Sequence, residues 1–172
     1  MQEFMAKLEA SQEDMDREMA PIISLANADG LAAIQHVRSN ADDYGINPSQ
    51  VGIVGFSAGG TVAAAAAFEY TSRANRPDFT APIYAALHVV NTQNLPAEPM
   101  PMFVAVTSDD VFGFQYLSAD LFKQWGAANH PVELHIYEKG GHGFGMRKQN
   151  LPSDKWTDAF ASWMSDHGWL KN

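Results

Sequence analysis

Short apolar runs alternate along the chain with longer amphipathic stretches. The apolar runs favour strands, because they are brief and bounded by turn residues; they cover residues 51–54, 83–90, 102–106 and 132–137. The intervening stretches favour helices over residues 21–40, 59–70, about 116–128 and about 153–166. Pro21 suits the first turn of the first helix, and the continuously apolar run 51–54 is typical of a strand buried on both faces. The alternation predicts a three-layer α/β/α sandwich around a mainly parallel sheet.

The length of 172 residues suits a single domain, 1–172, that buries a substantial core. Residues 21–172 carry the alternating pattern, whereas residues 1–20 are poorly assigned. In that segment Phe4, Met5, Leu8, Met15 and Met19 lie among many charges, which suggests one or two amphipathic helical turns.

Composition narrows the functional classes. The formal net charge of −9 disfavours a nucleic-acid surface, because no lysine and arginine stripe is available to replace phosphate counterions. No apolar run is long enough for a membrane span and the start resembles no signal peptide, so we expect no membrane partner and, by default, a cytoplasmic location. The chain has no cysteine, which excludes a thiolate nucleophile, and no histidine pair at metal-ligand spacing. We expect neither a metal nor a cofactor.

The most informative stretch is residues 51–67, with the sequence VGIVGFSAGGTVAAAAA. A short apolar run leads into Gly55-Phe56-Ser57-Ala58-Gly59-Gly60, and an alanine-rich helical segment follows. A serine on a strand-to-helix turn between small residues has an exposed hydroxyl. The pattern therefore predicts a serine nucleophile at Ser57, the alternative being a simple tight connection.

Residues capable of acyl transfer follow three of the predicted strands: Ser57, then Asp109 or Asp110, then His142. The carboxyl ends of parallel strands meet at one sheet edge, so these side chains can converge. A serine hydroxyl needs an imidazole to take its proton, and the imidazole needs a carboxylate to fix its tautomer. The competing interpretations are that the aspartates shape a turn and that His142 is a solvated loop residue.

The Gly55 to Gly60 turn, the Asp109-Asp110 turn and the segment Tyr137-Glu138-Lys139-Gly140-Gly141-His142-Gly143-Phe144 closely resemble the α/β-hydrolase superfamily. More narrowly, these motifs look like those of the esterase/lipase group that includes acetylxylan and feruloyl esterase-like enzymes. This resemblance implies a serine carboxylester hydrolase that acts on small-molecule esters through an acyl-enzyme. It implies Ser57 as nucleophile, His142 as base and then acid, Asp110 as the acid that orients His142 with Asp109 as fallback, and the Ala58 N–H as an oxyanion donor. A short connection between the second and third strands favours an open site and acetyl-type acyl groups, although the same triad also serves peptidases and thioesterases.

The sequence departs from the family on its amino-terminal side, where the family's early strands and its His-Gly-Gly oxyanion loop have no counterpart. We therefore expect a shortened α/β-hydrolase fold in which residues 51–54 form an exposed edge. Residues 1–20 or a second copy of the chain would cover that edge, the latter giving a homodimer or higher oligomer. The alternative function is a catalytically impaired hydrolase remnant that acts as a self-associating interaction module.

Overall fold

The computed structural model describes the backbone of residues 2–170 and the side chains of residue 14 and residues 16–170. In this part of the chain the helices are α1 (Gln2–Ser39), α2 (Ala41–Tyr44), α3 (Ala58–Glu69), α4 (Phe114–Ala127) and α5 (Trp156–Asp166). The strands are β1 (Ile53–Phe56), β2 (Thr80–Ile83), β3 (Met102–Thr107) and β4 (Val132–Tyr137), and short 3₁₀ turns lie at Leu87–Val89 and Pro152–Lys155. All strand pairs are parallel, in the order β1-β2-β3-β4. Between residues 2 and 170, none of the helices combines the length and the apolar character that a membrane crossing requires.

Side chains of β3 alternate between the two faces of the sheet, as strand geometry dictates. Met102 and Val104 pack in a cluster with α3 and with Trp125 of α4. Phe103 and Ala105 pack on the opposite face with the tryptophans of α5. The sheet is therefore covered on both sides, which confirms the predicted three-layer α/β/α arrangement.

Helix α1 differs from the prediction at its beginning. Pro21 lies inside the helix and not in its first turn. Its side chain is exposed, so the carbonyl that loses its backbone partner can be hydrated, and the helix continues through the proline. Further along, Leu31, Ile34 and Val37 pack against β1 and α3, as the apolar stripe predicted. The side chains of residues 1–13 and 15, among them Phe4, Met5, Leu8 and Met15, lie outside the described part of the chain.

The predicted strand over residues 83–90 is wrong. The chain is extended earlier, in β2, and the strand ends where Tyr84 adopts a φ of 38°. Ala85, Leu87 and Val90 are nevertheless buried in the core beside α3 and α4. Their apolar character reflects packing of a turn, which periodicity alone does not distinguish from a short buried strand.

Strand β1 lies at one edge of the sheet, as expected. Residues 51–54 were predicted to be buried on both faces, but Val54 is 39% exposed. Phe56, at the end of β1 and outside that prediction, is 38% exposed. An edge strand has a neighbour on one side only, so the prediction of full burial was wrong. Asp16, one of the first described side chains of α1, lies 3.4 Å from His88, beyond the end of β2.

Candidate active site

Ser57 occupies the turn between β1 and α3 in a backbone conformation that is unusual for a residue with a side chain, with φ 51° and ψ −118°. Its N–H donates to the carbonyl of Ile83 at 3.0 Å, and its carbonyl accepts from the N–H of Thr61 at 3.0 Å. The turn requires Gly55, because a Cβ there would collide with the carbonyl of Gly59. Both ends of the turn are thus fixed, and the Ser57 hydroxyl projects beyond the carboxyl end of the sheet.

His142 reaches Ser57 from a loop that follows β4. Within this loop Gly140 and Gly141 have φ values of 155° and 66°, a region that side chains disfavour. The two glycines let the loop turn back over the sheet. His142 Nε2 then lies 2.8 Å from Ser57 Oγ, a hydrogen-bonding distance.

Asp110 is the carboxylate that meets the imidazole. Its Oδ2 lies 2.9 Å from His142 Nδ1, and its Oδ1 accepts the N–H of Phe112 at 2.9 Å. The Asp110 side chain is fully buried, whereas the His142 side chain is 19% exposed. Both carboxylate oxygens therefore have a fixed partner, so the group cannot rotate freely.

Asp109 has a different contact although it is the adjacent residue. Its carboxylate accepts the N–H of Gly141 at 2.7 Å and that of Gly140 at 3.3 Å. These N–H groups, that of Gly141 first, lower the pKa of Asp109 below its ordinary value. A third hydrogen bond holds the loop: the Thr107 hydroxyl donates to the carbonyl of Gly141 at 3.1 Å. Asp109 thus holds the backbone of the His142 loop and does not contact the imidazole.

Three aromatic rings surround His142. The centroids of Phe112, Tyr84 and Phe114 lie 4.8, 5.1 and 5.5 Å from that of the imidazole, all in edge-on geometry. Tyr84 is buried, and that burial raises the pKa of its phenol, a rise that a hydrogen bond with the backbone of Gly145 opposes. Sequence reasoning missed all three rings, although two phenylalanines just after the Asp109-Asp110 turn were a usable signal.

A cavity of about 270 Å³ opens beside Ser57 and His142. Ala58 lies in its wall at the first position of α3, where the N–H has no partner within the helix. The remaining lining comes from α1, α3, the turn after β2 and the segment after β3, and comprises Met19, Ile22, Ile23, Ala26, Thr61, Val62, Ala86, Phe112 and Phe114. The contribution of α1 to this cavity was not predicted from the sequence.

The fold and the site together define a class of protein: an α/β sandwich in which a serine, a histidine and an aspartate form one hydrogen-bonded chain at the carboxyl ends of parallel strands. Residues 22–100 match the family model for the alpha/beta hydrolase fold. No curated relative matches the chain.

Three solved structures share the fold of this chain. The chain is 24% identical to an acetyl ester-xyloside bifunctional hydrolase from Caldicellulosiruptor lactoaceticus, with a TM-score of 0.67 over 84% of this chain and 66% of that one. It is 20% identical to propionate-bound esterase 2 of Thermogutta terrifontis, with a TM-score of 0.75 over 85% and 66%. It is 26% identical to an α/β-hydrolase enzyme from a Medee basin deep-sea metagenome library, with a TM-score of 0.61 over 81% and 63%.

These comparisons confirm the α/β-hydrolase fold and the predicted resemblance to esterases of that superfamily. The chain spans about two thirds of the length of the solved structures that it matches.

Proposed function

We propose that this chain is a serine carboxylester hydrolase that acts on short-chain, acetyl-type esters through an acyl-enzyme. The observation that carries the proposal is the continuous chain of contacts from Ser57 Oγ to His142 Nε2 at 2.8 Å and from His142 Nδ1 to Asp110 Oδ2 at 2.9 Å. A hydroxyl, an imidazole and a buried carboxylate in this order are the groups that serine acyl transfer needs.

In the first half of the proposed reaction, Ser57 Oγ attacks the ester carbonyl carbon while His142 Nε2 takes the hydroxyl proton. Asp110 keeps the other imidazole proton on Nδ1 and stabilises the imidazolium. The N–H of Ala58 donates to the oxyanion. When the carbon–oxygen bond to the alcohol breaks, His142 returns its proton to the leaving alcohol and the acyl group remains on Ser57.

In the second half, His142 takes a proton from water as the water oxygen attacks the acyl carbon. The bond to Ser57 Oγ breaks, and His142 returns the proton to the serine. The products are one carboxylic acid and one alcohol, and the enzyme returns to its starting state.

The structural neighbours support this proposal over the interaction module. One is named as an acetyl ester-xyloside bifunctional hydrolase, and another is an esterase with propionate bound. Propionate is a short acid of the kind that the proposed reaction releases.

The test is hydrolysis of p-nitrophenyl acetate by the purified chain and by the Ser57→Ala variant. Loss of the nucleophile is expected to lower kcat/KM by about 10⁴-fold or more. Ser49→Ala is the matched control, because Ser49 is an exposed turn residue away from the site, and it should leave the rate unchanged. A fluorophosphonate should label the unmodified chain on Ser57 alone. Equal rates for the chain and its Ser57→Ala variant would overturn the proposal.

We also propose that the β1 edge is where two copies of the chain associate. The N–H of Ile53 donates to the carbonyl of Phe79, just before β2, and the N–H of Ser57 donates to Ile83 in β2. The backbone of the alternate residues Val54 and Phe56 therefore faces away from the sheet. Edge pairing of two such strands about a twofold axis would satisfy these groups and cover both side chains. Val54→Lys should convert a dimer to a monomer in light scattering, whereas Ile46→Lys, at a residue of similar exposure, should not. A wild-type monomer would refute this proposal.

A further inference from the structure

The cavity beside Ser57 has one wall made by helix α1. Met19, Ile22, Ile23 and Ala26 all line it, and their spacing of three, four and seven positions places them on one face of the helix. Leu25 and Ala28 lie on the same turns but are exposed and do not line the cavity. The helix therefore presents an apolar stripe to the serine, and its neighbouring positions provide natural controls.

The cavity offers almost nothing to a polar ligand. Among the described residues that line it, Thr61 is the only polar side chain besides Ser57 and His142, and these residues include no aspartate, glutamate, lysine or arginine. The Thr61 hydroxyl donates to the carbonyl of Ala86 at 3.1 Å, so it cannot also donate to a ligand. Thr61 can still accept one hydrogen bond, but any further sugar hydroxyl in this space would lose water without gaining a partner among the described lining residues. An alkyl chain loses nothing by entering.

The size of the cavity limits the length of that chain. Its volume of about 270 Å³ lies just below the range typical of pockets for drug-sized ligands. At roughly 30 Å³ for each heavy atom, it holds about nine atoms. This is more than an acetyl group requires and matches an ester group extended by a chain of about six carbons.

We propose that the α1 face is a specificity surface that selects esters carrying an unbranched apolar chain of about six carbons. This inference rests on the proposed ester hydrolysis. An alcohol half of about six carbons is compatible with the proposed acetyl-type acyl group, whereas an acyl half of that length would replace it. The chain can belong to the acyl or the alcohol half of the ester, and the two have the same chemistry at this wall. Polar parts of the substrate remain outside the cavity.

The test compares two substrate series with variants that change the wall. In the acyl series p-nitrophenyl hexanoate is compared with the acetate, and in the alcohol series hexyl acetate is compared with ethyl acetate. The two members of each series differ by four methylenes, and burial of each methylene favours binding roughly fourfold, so the longer member of at least one series should have a kcat/KM on the order of 10²-fold higher. Ala26→Trp fills the cavity and should abolish this preference, while Ala28→Trp on the exposed side should keep it.

A second pair of variants guards against misfolding of the tryptophan variant. Ile22→Glu adds a carboxylate to the wall at a residue that is 57% exposed, and Leu25→Glu adds one at a residue that is 69% exposed. The first should lose the preference for the longer chain and the second should not. Variants at Ala26 and Ile22 that keep the wild-type ratio in both series would overturn the proposal, as would a wild-type chain without any preference for the longer ester.

A binding measurement separates this inference from the proposed activity. Hexyl acetate should show saturation transfer in NMR from the Ser57→Ala protein, and the signal should disappear in Ser57→Ala/Ala26→Trp but persist in Ser57→Ala/Ala28→Trp. If the unmodified chain hydrolyses no ester yet this pattern holds, the proposed function fails and the apolar chain site stands. If hydrolysis occurs but binding does not depend on Ala26, the site assignment fails alone.

Discussion

The substitution Asp110→Asn tests the proposed role of the buried carboxylate directly, because the structure dictates how the amide must orient. Asp110 Oδ1 accepts the N–H of Phe112 at 2.9 Å, so the amide oxygen of asparagine is held at that position. The NH₂ group then replaces Oδ2 at 2.9 Å from His142 Nδ1. Since NH₂ only donates, Nδ1 must be unprotonated, and the imidazole proton moves to Nε2, where it blocks proton transfer from Ser57.

The size of the effect follows from the alternative orientation. Turning the amide over restores the active tautomer but leaves the partly buried N–H of Phe112 facing the amide NH₂ without an acceptor, which costs about 1–3 kcal/mol. That cost reduces the active fraction roughly 5- to 150-fold, at 1.36 kcal/mol for each factor of ten. Loss of the carboxylate charge that stabilises the imidazolium adds to this. We expect kcat/KM for p-nitrophenyl acetate to fall by about 10⁴-fold in total.

Asp109→Asn is the matched comparison, since it changes the same atoms in the adjacent residue. Asparagine at this position weakens the contacts with Gly140 and Gly141 but does not touch the imidazole. Its expected loss of activity is roughly tenfold, the scale of one to two ordinary hydrogen bonds. An Asp110→Asn enzyme within tenfold of wild type, or an Asp109→Asn enzyme that is the more impaired of the two, would refute the assignment.

Further predictions concern stability. The pKa of Asp109 in the folded state is lowered from 3.8, so the ionised carboxylate stabilises the fold above that value, and this stabilisation is lost as the pH falls through the lowered pKa. The difference in Tm between wild type and Asp109→Asn should therefore shrink in that acid range. Gly55→Ala should abolish folding or activity because its Cβ would meet the Gly59 carbonyl, whereas Gly59→Ala has open space and should be tolerated, as expression and circular dichroism would reveal. Trp125→Ala should lower the free energy of unfolding by about 3–5 kcal/mol in urea titration, because the indole is fully buried; a loss below 1 kcal/mol would contradict its core role.

Local patterns predicted most of the sheet. The runs at β3 and β4 were predicted nearly to the residue because each is a short apolar segment between clear turn residues. The apolar run after β2 was wrongly predicted as a strand. Ala85, Leu87 and Val90 pack into the core from a turn, and a buried turn requires the same apolar side chains as a buried strand. The prediction that Pro21 begins a helix was wrong because an exposed proline can lie inside a long helix.

The candidate site was predictable to the extent that it depends on strand ends. Ser57, Asp110 and His142 each follow a strand, so parallel topology was enough to expect them to meet. The wall from α1 was not predictable, because it depends on how far the helix continues before Pro21 and on its angle across the sheet. The choice of Asp110 over Asp109 likewise depends on the turn geometry that directs one carboxylate to the imidazole and the other to a backbone.

Strand order explains why several hydrogen bonds hold the loop that carries His142. Ser57 follows β1 at one edge of the sheet and His142 follows β4 at the other edge. Three strand spacings of about 4.8 Å separate these strands by roughly 14 Å, yet the two side chains lie 2.8 Å apart. The loop must therefore cross the ends of β3 and β2, and β3 is the strand it crosses first.

The end of β3 is suited to holding that loop. All six residues of β3 are buried, and the strand is paired on both sides, with β2 and β4. From its end Thr107 and Asp109 hold the loop backbone, and Asp110 holds the imidazole itself. Replacing Asp109 should therefore raise the mobility of the loop without moving Ser57, because the serine is fixed separately through β2. Lost activity in an Asp109 variant should accordingly appear in kcat, through misplacement of His142, while binding of an alkyl chain at the α1 face stays unchanged.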